Sequence, residues 1–342
     1  MSKITVVITA YNLQKYLDRC LEQLFGQTFQ DFDVLIVDDC STDGTGQIIE
    51  DWKARNPGRI KTLYLDQNLG MPAKTRNAAL DSGLIDGDCF MFLDGDDSIE
   101  PDLLEQMYGA LAEKEADVAI CGYDRVEENT GKVLCREMIG FPETVRIPTD
   151  DDLLAFINTA PWNKLWRREV FGDGRFPPFK VGEEVVLQFT RYLRCRCLAF
   201  VDRPLIHYAV REGSVISNTP LKSIYQFAQE LASCYNTLRN QNAKDTLALM
   251  AFLHIGISMA IRAMDNQAIN LSTHLRWTWK YLKENYAGLR GNRFLRFGSL
   301  KRHGFKGFVL WGCLTAYRLH CFGFVLSVYR AATTYLHIDI KF

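Results

Sequence analysis

At 342 residues, with 47% apolar and 24% charged side chains, the composition is that of a folded chain with one large domain and an appendage, or two domains; it excludes a disordered protein. The 40 Lys/Arg are matched by 41 Asp/Glu, which excludes the polycation expected of a general nucleic-acid binder. Ten cysteines are scattered through apolar runs, and the close pair Cys195 and Cys197 has no second pair to complete a zinc pattern, so free thiols in a reducing compartment are expected.

The chain opens on Ile4-Thr-Val-Val-Ile-Thr9, which predicts a buried strand and is too short for the apolar core of a signal peptide; a cytoplasmic protein is expected. Residues 13–25 predict a helix with Leu17, Cys20, Leu21 and Leu24 on one face. A strand over 34–37, a helix over 45–55, a strand over 60–65, a helix over 74–82 and a strand over 90–93 follow. Short apolar strands alternating with helical patterns imply βαβ units in a mostly parallel sheet, whose ligands sit beyond the carboxyl ends of the strands. Polar residues gather at those ends: Thr9 with Tyr11 and Asn12, Asp38 with Asp39, and Asp94-Gly95-Asp96-Asp97. Beyond residue 150 prolines 161, 177, 178 and 204 break the pattern, and after Pro220 the chain reads as helices over 224–241, 247–264 and 275–286. The expected division is 1–220, with halves 1–125 and 126–220, followed by a helical extension 221–342.

Several carboxylates within four residues repel one another unless a cation lies among them, and hard oxygen donors suit Mg²⁺ or Mn²⁺ held jointly with substrate phosphates. Gly95 permits a tight turn between the acids. The alternative is an acidic turn capping the next helix, with Ser98 and Asp102 available. Neither a G-x-G-x-x-G after the first strand nor a phosphate-binding G-x-x-x-x-G-K-[ST] occurs, so a nucleotide would rely on metal to neutralise its phosphates.

The strings VVITAYNLQKYLDRCLEQLFGQTFQDFDVLIVDDCSTDGT, NLGMPAKTRNAAL and FMFLDGDD resemble the nucleotide-binding half of the family 2 glycosyltransferases, which have the GT-A fold. A weaker resemblance to bacterial polysaccharide glycosyltransferases continues through PWNKLWRREVF, GEEVVLQ and PLIHYAVREGSVISN. The resemblance implies an α/β GT-A domain and inverting transfer from a nucleotide-sugar donor, UDP-linked by preference, to a glycan or lipid-linked acceptor. Tyr11 would stack on the base and Asp39 accept its imide proton. Thr9 and Asp38 would line the same crevice, with Arg76 and Lys74 near the phosphates, Asp94 at the ribose and Asp96, with Asp94, on Mn²⁺ or Mg²⁺. Asp97 would organise the turn.

An inverting displacement needs a general base for the acceptor hydroxyl. The family pattern is Glu-Asp where this chain has Glu183-Glu184, so Glu184 takes the base position with one extra methylene, and Glu183 is its alternate. Both could instead sit at the positive end of a helix for electrostatic reasons alone. Trp162, Asn163 and Lys164 are candidates to line the acceptor pocket, with an anchoring core Trp as the alternative. Arg211 would reach the leaving diphosphate, and His207 reads as structural. Thr273-His-Leu-Arg276-Trp277 lacks the Gln of processive members, which favours one sugar per encounter.

From residue 276 onward there are 12 Lys/Arg and two acids. Residues 290–342 combine these cations with two apolar stretches broken by Arg318 and His320. A spanning helix tolerates a central Arg poorly, so a helix in the interface of an anionic membrane is expected, with Trp311, Tyr317, Phe322 and Phe324 at headgroup level. That places the protein peripherally on the inner face of the cytoplasmic membrane; the alternative is a helix packed on the protein. A nucleotidyltransferase and a non-catalytic binding protein on the same fold are the rival functions.

Overall fold

The computed structural model describes residues 3–179, 181–210, 220–238, 243–266, 268–289, 291–300 and 304–336. The chain divides into two compact units, 1–150 with 157–212, and 151–156 with 213–342.

In the first unit, strand β1 (Ile4–Ala10) is buried along nearly its whole length, as its apolar run requires. Helix α1 (Leu17–Phe25) leads to β2 (Phe32–Asp38), α2 (Thr45–Arg55) to β3 (Ile60–Tyr64), and α3 (Pro72–Asp81) to β4 (Cys89–Asp94). The four strands are parallel in the order β3-β2-β1-β4. Their register pairs Ala10 with Asp38 and Thr9 with Asp94, so the three polar strand ends lie side by side. Helix α1 starts four residues later than its apolar pattern suggests. Asn12 is left-handed (φ 54°), and the N–H groups of Leu13 and Gln14 donate to Thr45 Oγ1 (2.7 Å) and Asp43 Oδ2 (3.1 Å) instead of entering a helix.

The sheet is mixed rather than mostly parallel beyond β4. After β5 (Ser98–Ile99) and α4 (Leu103–Glu113) come β6 (Val118–Glu127), β7 (Val133–Glu137), β8 (Thr144–Arg146), β9 (Lys164–Arg167), α5 (Arg168–Phe171), α6 (Glu183–Tyr192) and β10 (Cys197–Val210). Strand β9 lies antiparallel between β4 and β6, β10 runs parallel to β6 with an irregularity at Pro204, and β7 and β8 lie off the main path. Short strands broken by prolines carry too little periodicity to be read from sequence.

In the second unit α7 (Leu221–Leu238), α8 (Lys244–Ala251), a π-helical segment (Phe252–Ser258) and α9 (Met259–Asp265) precede α10 (Leu271–Asn285), α11 (Phe297–Leu300), α12 (Gly304–Arg318) and α13 (Phe322–Leu336). Lys244–Asp265 is the one stretch among the described residues long and apolar enough to cross a membrane, and most of it is buried in the protein. The C-terminal stretch forms two helices, because His320 turns left-handed (φ 57°) between them. Tyr317 and Phe322, expected at headgroup level, are instead core residues stacked at 4.2 Å. All ten cysteines are free.

Candidate active site

The loops after β1 and β2 are zipped together by polar residues that the sequence places at strand ends. Asn12 N–H donates to Ser41 Oγ (3.0 Å), Thr42 N–H to Asn12 Oδ1 (2.8 Å) and Gly44 N–H to Gln14 Oε1 (3.0 Å). Gly95 completes the joint: a Cβ there would stand 2.9 Å from Leu13 Cδ1. The cleft beside this joint has a volume of about 390 Å³ and is lined by Thr9, Tyr11, Asp39, Arg76, Asp94 and Asp96, among others. Six sequence candidates from three strand ends and a helix therefore meet in one cavity.

Tyr11 is 48% exposed and presents its ring to the cleft. Asp39 is buried and accepts from Leu69 N–H (2.8 Å) and Asn68 Nδ2 (3.3 Å), which ties the loop after β3 to the pocket wall. Asn68 is a part of the site that went unread, although NLG stood within the resembling strings. Two candidates fall outside the cleft. Asp38 turns its carboxylate to Ser41, accepting from its N–H (3.2 Å) and Oγ, so it closes the loop rather than facing a ligand. Lys74 is exposed on α3 and is absent from the lining, because the helix turns Thr75 and Arg76 inward instead.

Arg76 is buried, and its guanidinium stands between two carboxylates: Asp94 Oδ1 at 3.0 Å and Glu184 Oε1 at 3.5 Å. It also lies over the Phe176 ring (5.7 Å). Burial works against this charge, but Asp94 and Glu184 outweigh it and hold the guanidinium above its ordinary value. Arg76 Nε is buried without a protein partner and remains a donor for a ligand. A plain phosphate contact is thus too simple for this residue, which joins the cleft to Glu184.

Glu183 and Glu184 occupy the first turn of α6 behind left-handed Gly182 (φ 82°), where the helix dipole favours ionised carboxylates. Glu183 is buried, whereas the Glu184 side chain is 32% exposed. Asp96 lines the donor cleft and also a neighbouring cavity of about 370 Å³ that includes Tyr16, Arg19 and His207. Asp97 accepts from Ala209 N–H (3.2 Å), binding the turn to β10.

No cluster of three or more His, Cys, Asp or Glu suited to a metal occurs among the described residues. Asp94 and Asp96 nevertheless offer two hard carboxylates to one cleft, which fits Mg²⁺ or Mn²⁺ completing its shell with ligand phosphates and water. Asp94 also accepts from Arg76 Nη2 (3.0 Å), so one of its oxygens is shared with the guanidinium.

The Trp162-Asn163-Lys164 segment is core, not pocket lining. Trp162 is buried between Tyr208 (5.5 Å, parallel) and Tyr123 (4.7 Å, edge-on). Asn163 donates to the Cys121 carbonyl (2.9 Å). Lys164 Nζ donates to the carbonyls of Asn158 (2.7 Å) and Ala160 (2.6 Å) and to Asn163 Oδ1 (2.7 Å). Burial pushes this ammonium down to about 7, while three acceptors for three donors is the arrangement of the charged form. His207 pairs with Glu100 (2.7 Å), in keeping with a structural role. Arg211 lies outside the described residues.

Residues 5–172 match the sequence profile described as Glycosyl transferase family 2. These residues form a glycosyltransferase family 2 domain. Among curated family relatives, glycosyltransferase GlyA of Streptococcus pneumoniae is 30% identical over 224 residues, covering 62% of this chain and 31% of GlyA. Poly(ribitol-phosphate) beta-N-acetylglucosaminyltransferase TarS of Staphylococcus aureus is 31% identical, covering 64% of this chain and 37% of TarS. The matched part of this chain thus spans about a third of the length of these relatives. The crystal structure of TarS 1–349 with UDP-GlcNAc superposes with a TM-score of 0.68 at 23% identity, covering 93% of this chain and 92% of that one. Mannosyltransferase PcManGT from Pyrobaculum calidifontis, with GDP-Man and Mn²⁺, gives 0.54 at 16% identity, covering 94% and 86%. The fold is GT-A, with an α/β sheet core and a C-terminal helical region.

Proposed function

We propose that this chain is an inverting, metal-dependent, non-processive glycosyltransferase that moves a sugar from UDP to a glycan or lipid-linked acceptor in bacterial surface polysaccharide synthesis. The observation that carries the reading is the Arg76 bridge, which sets Glu184 beside the cleft holding Tyr11, Asp39, Asp94 and Asp96. The catalytic unit is 1–220 and the helical extension 221–342. The UDP-GlcNAc of the TarS complex supports a uridine donor, and the Mn²⁺ of the PcManGT complex supports a divalent cation.

In this reading Tyr11 stacks on the uracil and the Asp39 carboxylate accepts its imide proton. Asp94 faces the ribose, and Asp94 and Asp96 hold Mn²⁺ or Mg²⁺. When bound, the cation draws off charge that builds on the departing diphosphate. Glu184 accepts the proton of the acceptor hydroxyl as that oxygen attacks the anomeric carbon from the face opposite the leaving group. Arg76 holds Glu184 oriented beside the cleft until the acceptor arrives. A peripheral position on the inner face of the cytoplasmic membrane, consistent with a lipid-linked acceptor, is supported by the basic C-terminal sequence and the exposed Phe305, Phe308 and Phe324.

A panel of nucleotide sugars with Mn²⁺, screened by thermal shift, identifies the donor. Release of UDP is then followed with metal and with chelator, for wild type and Glu184→Gln. Metal-dependent release that falls at least 100-fold in Glu184→Gln, with Tm unchanged, is expected. Near-normal turnover of the folded variant would remove Glu184 from the role, and no donor turnover in the wild type would leave a binding protein.

A further inference from the structure

Helix α10 and the turn between α12 and α13 enclose a cleft of about 480 Å³ within the second unit. Its inner wall is a continuous aromatic stack, Trp279 on Tyr317 (5.5 Å) and Tyr317 on Phe322 (4.2 Å), completed by Leu271 and Leu275. Arg276 and His320 stand at its lining and are exposed. An apolar trough lined also by a guanidinium and an imidazole suits an amphiphile with an anionic head.

The two helices that meet at this turn also carry exposed apolar side chains. Of the large apolar side chains that are exposed, the most exposed are Phe324 (72%), Leu319 (70%) and Phe305 (68%), all on α12, α13 or their turn, with Phe308 and Val328 on the same helices. Leu319 and Phe324 are five residues apart on either side of the turn that lines the cleft, and large apolar side chains left in water beside an apolar cleft mark a contact. The cations Lys306, Arg318 and Arg330 lie on these elements, and residues 304–332 contain no acid. Charge complementarity therefore favours an anionic bilayer over another copy of this basic surface.

We propose that the α12–α13 hairpin docks on anionic phospholipid and that the Trp279–Tyr317–Phe322 cleft seats one lipid, its phosphate at Arg276 and His320. This deepens the membrane placement stated above and rests on it. Each cation near an anionic membrane surface contributes about 1 kcal/mol, or roughly fivefold in partitioning.

The test is flotation of the full chain with vesicles of phosphatidylcholine alone or with 30 mol% phosphatidylglycerol, comparing Arg276→Gln with Lys280→Gln, an equal charge loss on an exposed α10 residue. Wild type is expected to float only with anionic vesicles. Arg276→Gln should lose at least tenfold in partitioning against about fivefold or less for Lys280→Gln, and Leu319→Asp with Phe324→Asp should abolish flotation without lowering Tm. Equal loss in the two single variants overturns the lipid seat while leaving membrane docking intact. Failure of the wild type to float overturns both, and sedimentation as a dimer that Leu319→Asp with Phe324→Asp dissolves would then assign the face to a second copy. UDP release, measured in parallel, reports separately on the enzymatic reading.

Discussion

Arg76→Met removes the guanidinium between Asp94 and Glu184 while keeping an unbranched side chain of similar reach. Removing one partner of a buried ion pair costs about 3–5 kcal/mol, because the remaining charge is left without its counter-ion. Here the side chains of Asp94 and Glu184 are 26% and 32% exposed, so water takes over part of the solvation and roughly 2–3 kcal/mol is the better figure. Loss of the contact over Phe176 adds under about 1 kcal/mol. For a unit of this size that corresponds to a fall in Tm of roughly 5–10 °C. Differential scanning fluorimetry measures it, and UDP with Mn²⁺ should restore part of the loss by supplying a new cation to the crowded carboxylates. The kinetic consequence is distinct: without the guanidinium, Glu184 loses the contact that orients it beside the cleft, and kcat should fall at least tenfold. Arg76→Lys keeps the charge but cannot bridge two carboxylates as a planar fork does, so it should fall between the two. A variant with wild-type Tm and wild-type kcat would refute the bridge.

Three further outcomes follow from the same structure. Burial holds His254 and His274 of the helical unit down to about 4. Between pH 6.5 and 4 the unfolded chain takes up protons that the folded unit refuses, so stability is complete above 6.5 and is lost on acidification, at roughly 1.4 kcal/mol per pH unit for each histidine; thermal melts at pH 7, 6 and 5 that coincide would contradict this. Lys164→Met strips three oxygen acceptors of their donor and should cost about 3 kcal/mol or more in urea unfolding, with KM for the donor unchanged in the folded fraction. Asp39→Ala should weaken UDP binding at least tenfold by calorimetry, and an unchanged Kd would mean that Asp39 only fastens the loop at 68–70.

The half of the fold that the sequence shows plainly is the half whose signals are local. Strands β1 to β4 are apolar runs bounded by turns, and a parallel sheet places their polar ends together whatever the side chains do in detail. Strand β9 carries no comparable signal: it is four residues long, begins with a lysine and is wedged antiparallel between two longer strands. The misreading of Trp162, Asn163 and Lys164 has the same origin. A tryptophan followed by two polar residues resembles a sugar-binding wall, and only Cys121, Tyr123 and Tyr208, distant in sequence, reveal that every polar atom of the pair is satisfied inside the protein.

The acidic turn shows how far a motif can be resolved without coordinates. Four residues, Asp94-Gly95-Asp96-Asp97, read either as a carboxylate cluster around a cation or as an acidic turn capping the next helix. In the folded unit the acids take separate partners: Asp94 accepts from Arg76, Asp97 from the backbone of β10, and Asp96 opens onto two cavities. Much of the expected repulsion is thus relieved by the protein itself, and a metal has less neutralising left to do than the sequence suggests. The cation's affinity should then depend on the diphosphate that arrives with it. Two carboxylates at the edge of a solvated cleft make a poor cage alone, and a suitable one once phosphate oxygens complete the shell.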